Sequence, residues 1–259
     1  MHDLMSMTWV ELRKALRSRM PLWTALGALF MPLGVAFLIF VSKNPAVFQK
    51  LGVLSAKADL VAYAAIDWPS YLGFSGQVIA MGEFFLLVLA ISWLFGREFV
   101  DGTLKDMWAV PVPRWSILLA KFILLVAWSV LITLVIFIAS LLMGVLLGLS
   151  GGSSSVILQG SRMVGLTGCM VLGIVLPFSL FASVSRGYLL PIGMAILAVM
   201  MANLVVVLGR GEYFPWAVPM LYAQGKGALT PLSYWIVLLT GLAGMLSTYL
   251  WWMFADQNR

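Results

Sequence analysis

The sequence predicts an all-α integral membrane protein, with six transmembrane helices preceded by an amphipathic N-terminal interface helix. Three observations predict it. First, 62% of the 259 residues are hydrophobic and 10% are charged, with a mean hydropathy of +1.02. An average soluble protein is roughly 25% charged, so sixteen basic and ten acidic side chains cannot cover a soluble surface of this size. Second, charge-free runs at 20–42, 68–82, 84–96, 122–161, 163–185, 187–209 and 227–255 supply the ~20 apolar residues a helix needs to cross hydrocarbon. Third, these runs do not alternate as barrel strands would, and lipid offers no partner to open backbone groups.

The elements follow in order. Residues 1–20 form the interface helix: Met5, Trp9, Leu12, Leu16 and Met20 recur on one face, with Glu11, Lys14 and Ser18 on another. Arg13 and Arg17 add basic charge, and Trp9 suits the headgroup depth. Thr8 with Glu11 has the form of a capping box. This helix serves either as a topology anchor or as a partner-binding element. The single transmembrane domain, 21–259, has spans near 21–41, 76–95, 116–148, 163–184, 188–208 and 232–254. The first is too long for a signal-peptide core and reads as a retained anchor. The second joins two runs parted only by Glu83. Lys43, Lys50 and Lys57, with Val47, Leu51 and Leu54 between them, predict a short surface helix in the first external loop. Gly144-x-x-x-Gly148 fits close helix packing, including packing between two copies. Gly151–Ser155 reads as a flexible turn, and 184–187 as a tight inner hairpin. Residues 213–222, broken by Pro215 and Pro219, read as a re-entrant or interfacial segment. No three-plus-three repeat is visible.

Charge placement orients the chain. With the N-terminus inside, ten Lys and Arg residues fall in inner segments and six in outer ones, which favours cytoplasmic termini. Trp23, Trp93, Trp115, Trp251 and Trp252 then mark the inner belt and Trp68, Trp216 and Trp235 the outer; Trp128 alone sits deep within a span. The net charge of +6 is explained by anionic lipid and topology rather than by nucleic acid. The single cysteine, Cys169, and the single histidine, His2, leave no intrachain disulfide, thiolate metal cluster or intramembrane Ser–His pair. No metal site is expected.

The inner segment 96–114 carries the most information. Glu98 and Asp101 share a helical face, Gly102 permits a turn, Thr103 can cap a short helix to Trp108, and Pro111 and Pro113 stop it. Arg97 flanks this face, and Arg114 anchors the third span at the headgroups. The order Glu98, Gly102-Thr103, Pro111-x-x-Arg114 and Lys121 resembles the type-2 ABC exporter permeases, especially their bacitracin-resistance-like branch. The interface helix, six spans and Phe214-Pro215-Trp216 extend the likeness along the chain.

The resemblance implies a permease subunit of an ATP-driven exporter in the cytoplasmic membrane of a prokaryote. It would move a hydrophobic or amphiphilic substrate outward. It implies a separate cytoplasmic ABC ATPase subunit, a second permease copy, and coupling through Arg97, Glu98, Asp101, Gly102, Thr103, Pro111 and Arg114. The interface helix, with Trp9, Glu11, Arg13, Lys14 and Arg17, would share the docking. The chain has no Gly-x-x-x-x-Gly-Lys-Ser/Thr loop. It is therefore expected not to be an enzyme and to bind no cofactor, with ATP and magnesium held by the partner ATPase. An ion-coupled carrier or channel, or a sodium-extruding ABC permease, is the alternative. Within the spans, Glu83 is a functional candidate because buried ionisable groups are costly. Its structural alternatives are a pair with Arg162 or Arg210, or snorkelling to the surface. Asn203 is a candidate for the substrate path or for interhelical bonding. Lys121 is expected to snorkel to the inner headgroups.

Overall fold

The computed structural model describes residues 2–44, 67–103, 112–225 and 229–254. The expected surface helix around Lys50 and Lys57, the short helix towards Trp108, and Pro111 lie outside them. The described residues form α1 (His2–Arg17), α2 (Met20–Lys43), α3 (Trp68–Val78), a π turn (Ile79–Glu83), α4 (Phe84–Val100), α5 (Arg114–Leu146), α6 (Ser154–Val175), α7 (Phe178–Ser185), α8 (Leu189–Val207), α9 (Val218–Gln224) and α10 (Pro231–Phe254). Among the described residues, six stretches are long and apolar enough to span a membrane: Met20–Lys43, Trp68–Val100, Arg114–Leu146, Ser154–Ser185, Leu189–Val207 and Pro231–Phe254.

The second span starts eight residues before its expected start at 76. Asp67 accepts a hydrogen bond from the Ser70 amide (3.0 Å) and Pro69 occupies the first turn, a strong N-terminal signal. The fourth span likewise starts at Ser154, capped by Ser153, so only part of the Gly151–Ser155 stretch is a turn. Trp68, Leu72, Gly76, Ala80, Phe84 and Val88 are buried at every fourth position. A helix of 3.6 residues per turn would rotate such a row off its stripe. The wider π turn takes up part of that drift and keeps the row facing inward.

The second span is the hub. Of its most apolar window, 67% is buried, against 17% for the fifth span, α8. On one side α5 packs against it and carries α1 and α2; on the other, α6 and α7 carry α10, and α8 lies outermost against α4 and α7. Between α6 and α7, Pro177 interrupts the fourth span, and the Gly241 and Gly244 face of α10 crosses there with backbone nearly touching backbone. Arg186, at φ 53°, makes the hairpin between α7 and α8.

Several aromatic expectations are corrected. Trp252 is fully buried and its indole N–H donates to Ser183 Oγ (3.0 Å); Trp68 is buried in a second core cluster with Ile39, Tyr71 and Leu72. Neither belongs to an interfacial belt, because each finds an intramolecular socket. Gly144 is the socket for Trp68: a Cβ there would stand 2.6 Å from the indole. The glycine thus serves packing within one chain, and Gly148, at φ 60°, ends α5. Trp128 tolerates its depth because its N–H reaches Thr24 Oγ1 (3.1 Å). The 213–222 segment folds inward, where Trp216 donates to the Ile174 carbonyl (3.1 Å) and stacks edge-on with Phe178.

Candidate functional site: a buried charge cluster beside the 101–113 connection

Where α1, α4 and α5 meet, four charged side chains converge. Lys121 on α5 is 1% exposed. Its ammonium donates to the Leu94 carbonyl (2.8 Å), Glu98 Oε1 (2.9 Å) and Glu11 Oε2 (3.4 Å), which uses all three protons. Lys14 donates to Glu11 Oε1 (2.8 Å) and Glu98 Oε1 (3.0 Å). Two lysines and two glutamates close a neutral ring across three helices. A buried ion needs such pairing, since an unpaired one costs several kcal/mol. Burial pulls the Lys14 ammonium down, but the Glu98 and Glu11 carboxylates outweigh it and hold its pKa above 10.5.

The sequence reading differs here in three respects. Lys121 does not snorkel; it turns inward to the carboxylates of α1 and α4. Glu98 and Asp101 do not act on one face. Glu98 turns inward, whereas Asp101 stays at the surface in an ion pair with Arg97 (2.9 Å). Thr8 caps nothing, because α1 begins at His2 and the Thr8 hydroxyl donates back to the Leu4 carbonyl (2.8 Å). The inner face of α1 is Met7, Glu11 and Ala15, spaced four apart. Its apolar residues Met5, Trp9 and Leu16 point outward, with Arg13 stacked over Trp9 at 5.1 Å. The helix is thus applied to the protein through Met7, Glu11 and Ala15, with Leu4 and Leu12 packed beside them, and leaves Met5, Trp9 and Leu16 exposed.

A cavity of about 440 Å³ opens beside the ring. It gathers Glu11 and Lys14 from the interface helix with Arg97, Glu98, Asp101 and Thr103 from the predicted coupling segment. Two sequence-distant candidate groups therefore share one surface. Glu98 Oε2 is buried with no hydrogen-bond partner among the described residues. Gly102, at φ 70°, ends α4 beyond the cluster. Arg17 is exposed. Arg114 donates to the Trp252 carbonyl (3.3 Å), so it caps α10 in addition to starting α5.

The three intramembrane candidates lie apart. Glu83 pairs with neither Arg162 nor Arg210; its carboxyl group lies within hydrogen-bond distance of the hydroxyls of Ser129 (2.9 Å) and Thr133 (2.8 Å) on α5. Arg162 lines a cavity of about 490 Å³ with Gln159, Leu72 and Tyr222. Asn203 donates to its own helix at Val199 (2.9 Å) and lines a cavity of about 130 Å³ with Met81, Phe84, Trp216 and Gln224. Sequence reasoning missed Ser129 and Thr133. Their four-residue spacing put two hydroxyls on one face of an apolar helix, which was the available signal. No group of three metal-ligating side chains occurs among the described residues.

Comparison with known proteins agrees with this architecture. A stretch of the chain, 29% identical over 134 residues, matches a bacitracin transport permease protein of Bacillus licheniformis, covering 52% of this chain and 64% of that one. The matched stretch thus spans less than two thirds of that relative's length. Residues 7–203, from the inner face of α1 to α8, match the profile described as ABC-2 family transporter protein. With six candidate spans around a buried hub, this multi-pass membrane protein belongs to the ABC-2 transporter family.

Proposed function

We propose that the chain is the transmembrane subunit of an ATP-driven exporter. It moves a hydrophobic or amphiphilic substrate, of the antibiotic, peptide or lipid-like class, out of a prokaryotic cell. The bacitracin permease relative supports that class. Both termini and the α1 end face the cytoplasm, and a separate ABC ATPase dimer binds ATP and magnesium and docks there. A second permease copy completes the unit.

One observation carries the reading. The Glu11–Lys14–Glu98–Lys121 ring ties α1, α4 and α5 together where the chain leaves α4 and re-enters at Arg114. Force applied to the 101–113 connection or to α1 therefore reaches α4, α5 and the hub as one body. Packed interiors transmit strain rather than absorb it.

The exposed residues test docking; the buried ones test folding. Asp101→Arg reverses a surface charge without entering the ring. Mild-detergent purification of the tagged chain from its native host, with mass spectrometry, should recover a stoichiometric subunit bearing a phosphate-binding loop. Asp101→Arg should lower that recovery and uncouple ATP hydrolysis from transport, with insertion intact. If no such subunit accompanies the wild-type chain even after crosslinking, the reading is wrong.

A further inference from the structure

Glu83 is 0% exposed, at the end of the π turn in the middle of the second span. Its surroundings are built for a polar group. Ser129 and Thr133 present their hydroxyls from adjacent turns of α5. On α6, Gly168 leaves the room: a Cβ there would stand 2.8 Å from Thr133 Oγ1. No cation lies within ion-pair distance among the described residues.

The protons can be counted. Ser129 Oγ lies 2.9 Å from Glu83 Oε1. Thr133 Oγ1 lies 2.8 Å from Oε1, 2.9 Å from Oε2 and 3.0 Å from the Ser129 carbonyl. Each hydroxyl has one proton. With an ionised Glu83, Thr133 would face three acceptors with one proton, and the carboxylate would be a buried, uncompensated charge. A proton on Oε2 resolves the set. Glu83 then donates to Thr133, Thr133 donates to the Ser129 carbonyl, and Ser129 donates to Oε1.

We propose that Glu83, Ser129 and Thr133 form a proton-binding site in the membrane core, occupied in this arrangement, with Glu83 a neutral carboxylic acid. The charged groups on the surrounding helices are engaged or placed elsewhere. Lys43 on α2 donates to the Leu147 carbonyl, Arg97 on α4 pairs with Asp101, and Lys121 on α5 pairs with Glu98. Arg114 on α5 caps α10, and Arg162 on α6 lines its own cavity. Of the other titratable groups, Tyr71 packs with Trp68, Tyr222 of α9 packs with Tyr234, and Cys169 is exposed. The proton is thus held by hydroxyls alone, and its release requires α3, α5 and α6 to part enough for water or a cation to replace it.

Infrared difference spectroscopy of the purified full chain in lipid nanodiscs at neutral pH tests the site. The wild-type minus Glu83→Gln spectrum should show the carbonyl stretch of a protonated carboxylic acid. Glutamine keeps the donor to Thr133 and the acceptor for Ser129, so that variant retains the fold. Thr133→Val, which removes the strongest partner, should shift the same band to higher frequency. Loss of carboxylate bands instead, in the Glu83→Gln difference, would overturn the proposal. Carboxylate bands that move on adding sodium would replace the proton with a cation.

Discussion

Lys121 shows how a single side chain changes meaning with its neighbours. Near the end of a span its long stem is suited to reach the headgroups. In the folded chain it is 1% exposed and binds Glu98, Glu11 and the Leu94 carbonyl. Removing it leaves two buried carboxylates to share one ammonium, that of Lys14, with a net negative charge in the interior. Lys121→Leu should therefore destabilise the protein by about 3–5 kcal/mol, the cost of breaking a buried pair from one side. Unfolding of the purified protein in detergent reads this directly. A midpoint equal to that of wild type would mean the ring is solvated and does not clamp α1. Replacing Glu98 as well should recover part of the loss, since it removes one orphaned charge. Glu98 itself was legible from the sequence as a candidate. Its role was not, because the acid's partners sit on helices far away in the chain.

At the scale of elements, α3 and α5 are held by a large ring against an absent side chain. The Trp68 indole occupies the space over Gly144, and an added methyl would stand 2.6 Å from it. Overpacking of this kind costs about 1–3 kcal/mol. Gly144→Ala should lower stability by that amount, and Trp68→Leu in the same chain should offset it, giving a coupling of about 0.5–3 kcal/mol in a double-variant cycle. Strict additivity would show that the two residues do not meet. The glycine pair in α5 was visible in the sequence as a packing motif. Which ring fills the groove was not, because a four-residue spacing fixes a face of a helix but not the occupant of that face. The same limit explains α1. Its periodicity showed an amphipathic helix with Glu11 and Lys14 on one side, yet only their counterions on α4 and α5 decide that this side faces the protein.

For the whole molecule, burial is uneven. The second span is central, whereas α8 leaves Leu189, Ile196, Met200 and Val207 exposed along its length. We place the second copy of the proposed unit against α8, because its most apolar window is the least buried of the six candidate spans, at 17%. Cysteine at Ile196 or Met200, introduced with Cys169 replaced, should crosslink two chains in native membranes, and cysteine at Leu239 on α10 should not. Crosslinking at neither α8 position would leave that face to lipid.

The spans, their number and the interface helix were determined by the sequence alone. Hydrocarbon admits only long apolar segments with satisfied backbones, and a one-dimensional count of charges finds them. The family was legible as well, from Glu98, Gly102-Thr103, Arg114 and Lys121 in order. The partners of the polar groups were decided only by the tertiary structure. Glu83 has hydroxyls in place of an arginine, Glu98 has lysines in place of open surface, and Trp252 has a serine in place of the membrane interface. Inside an apolar medium each buried polar atom must find a partner. Which partner it finds depends on helices brought together across the chain, and no local pattern records that.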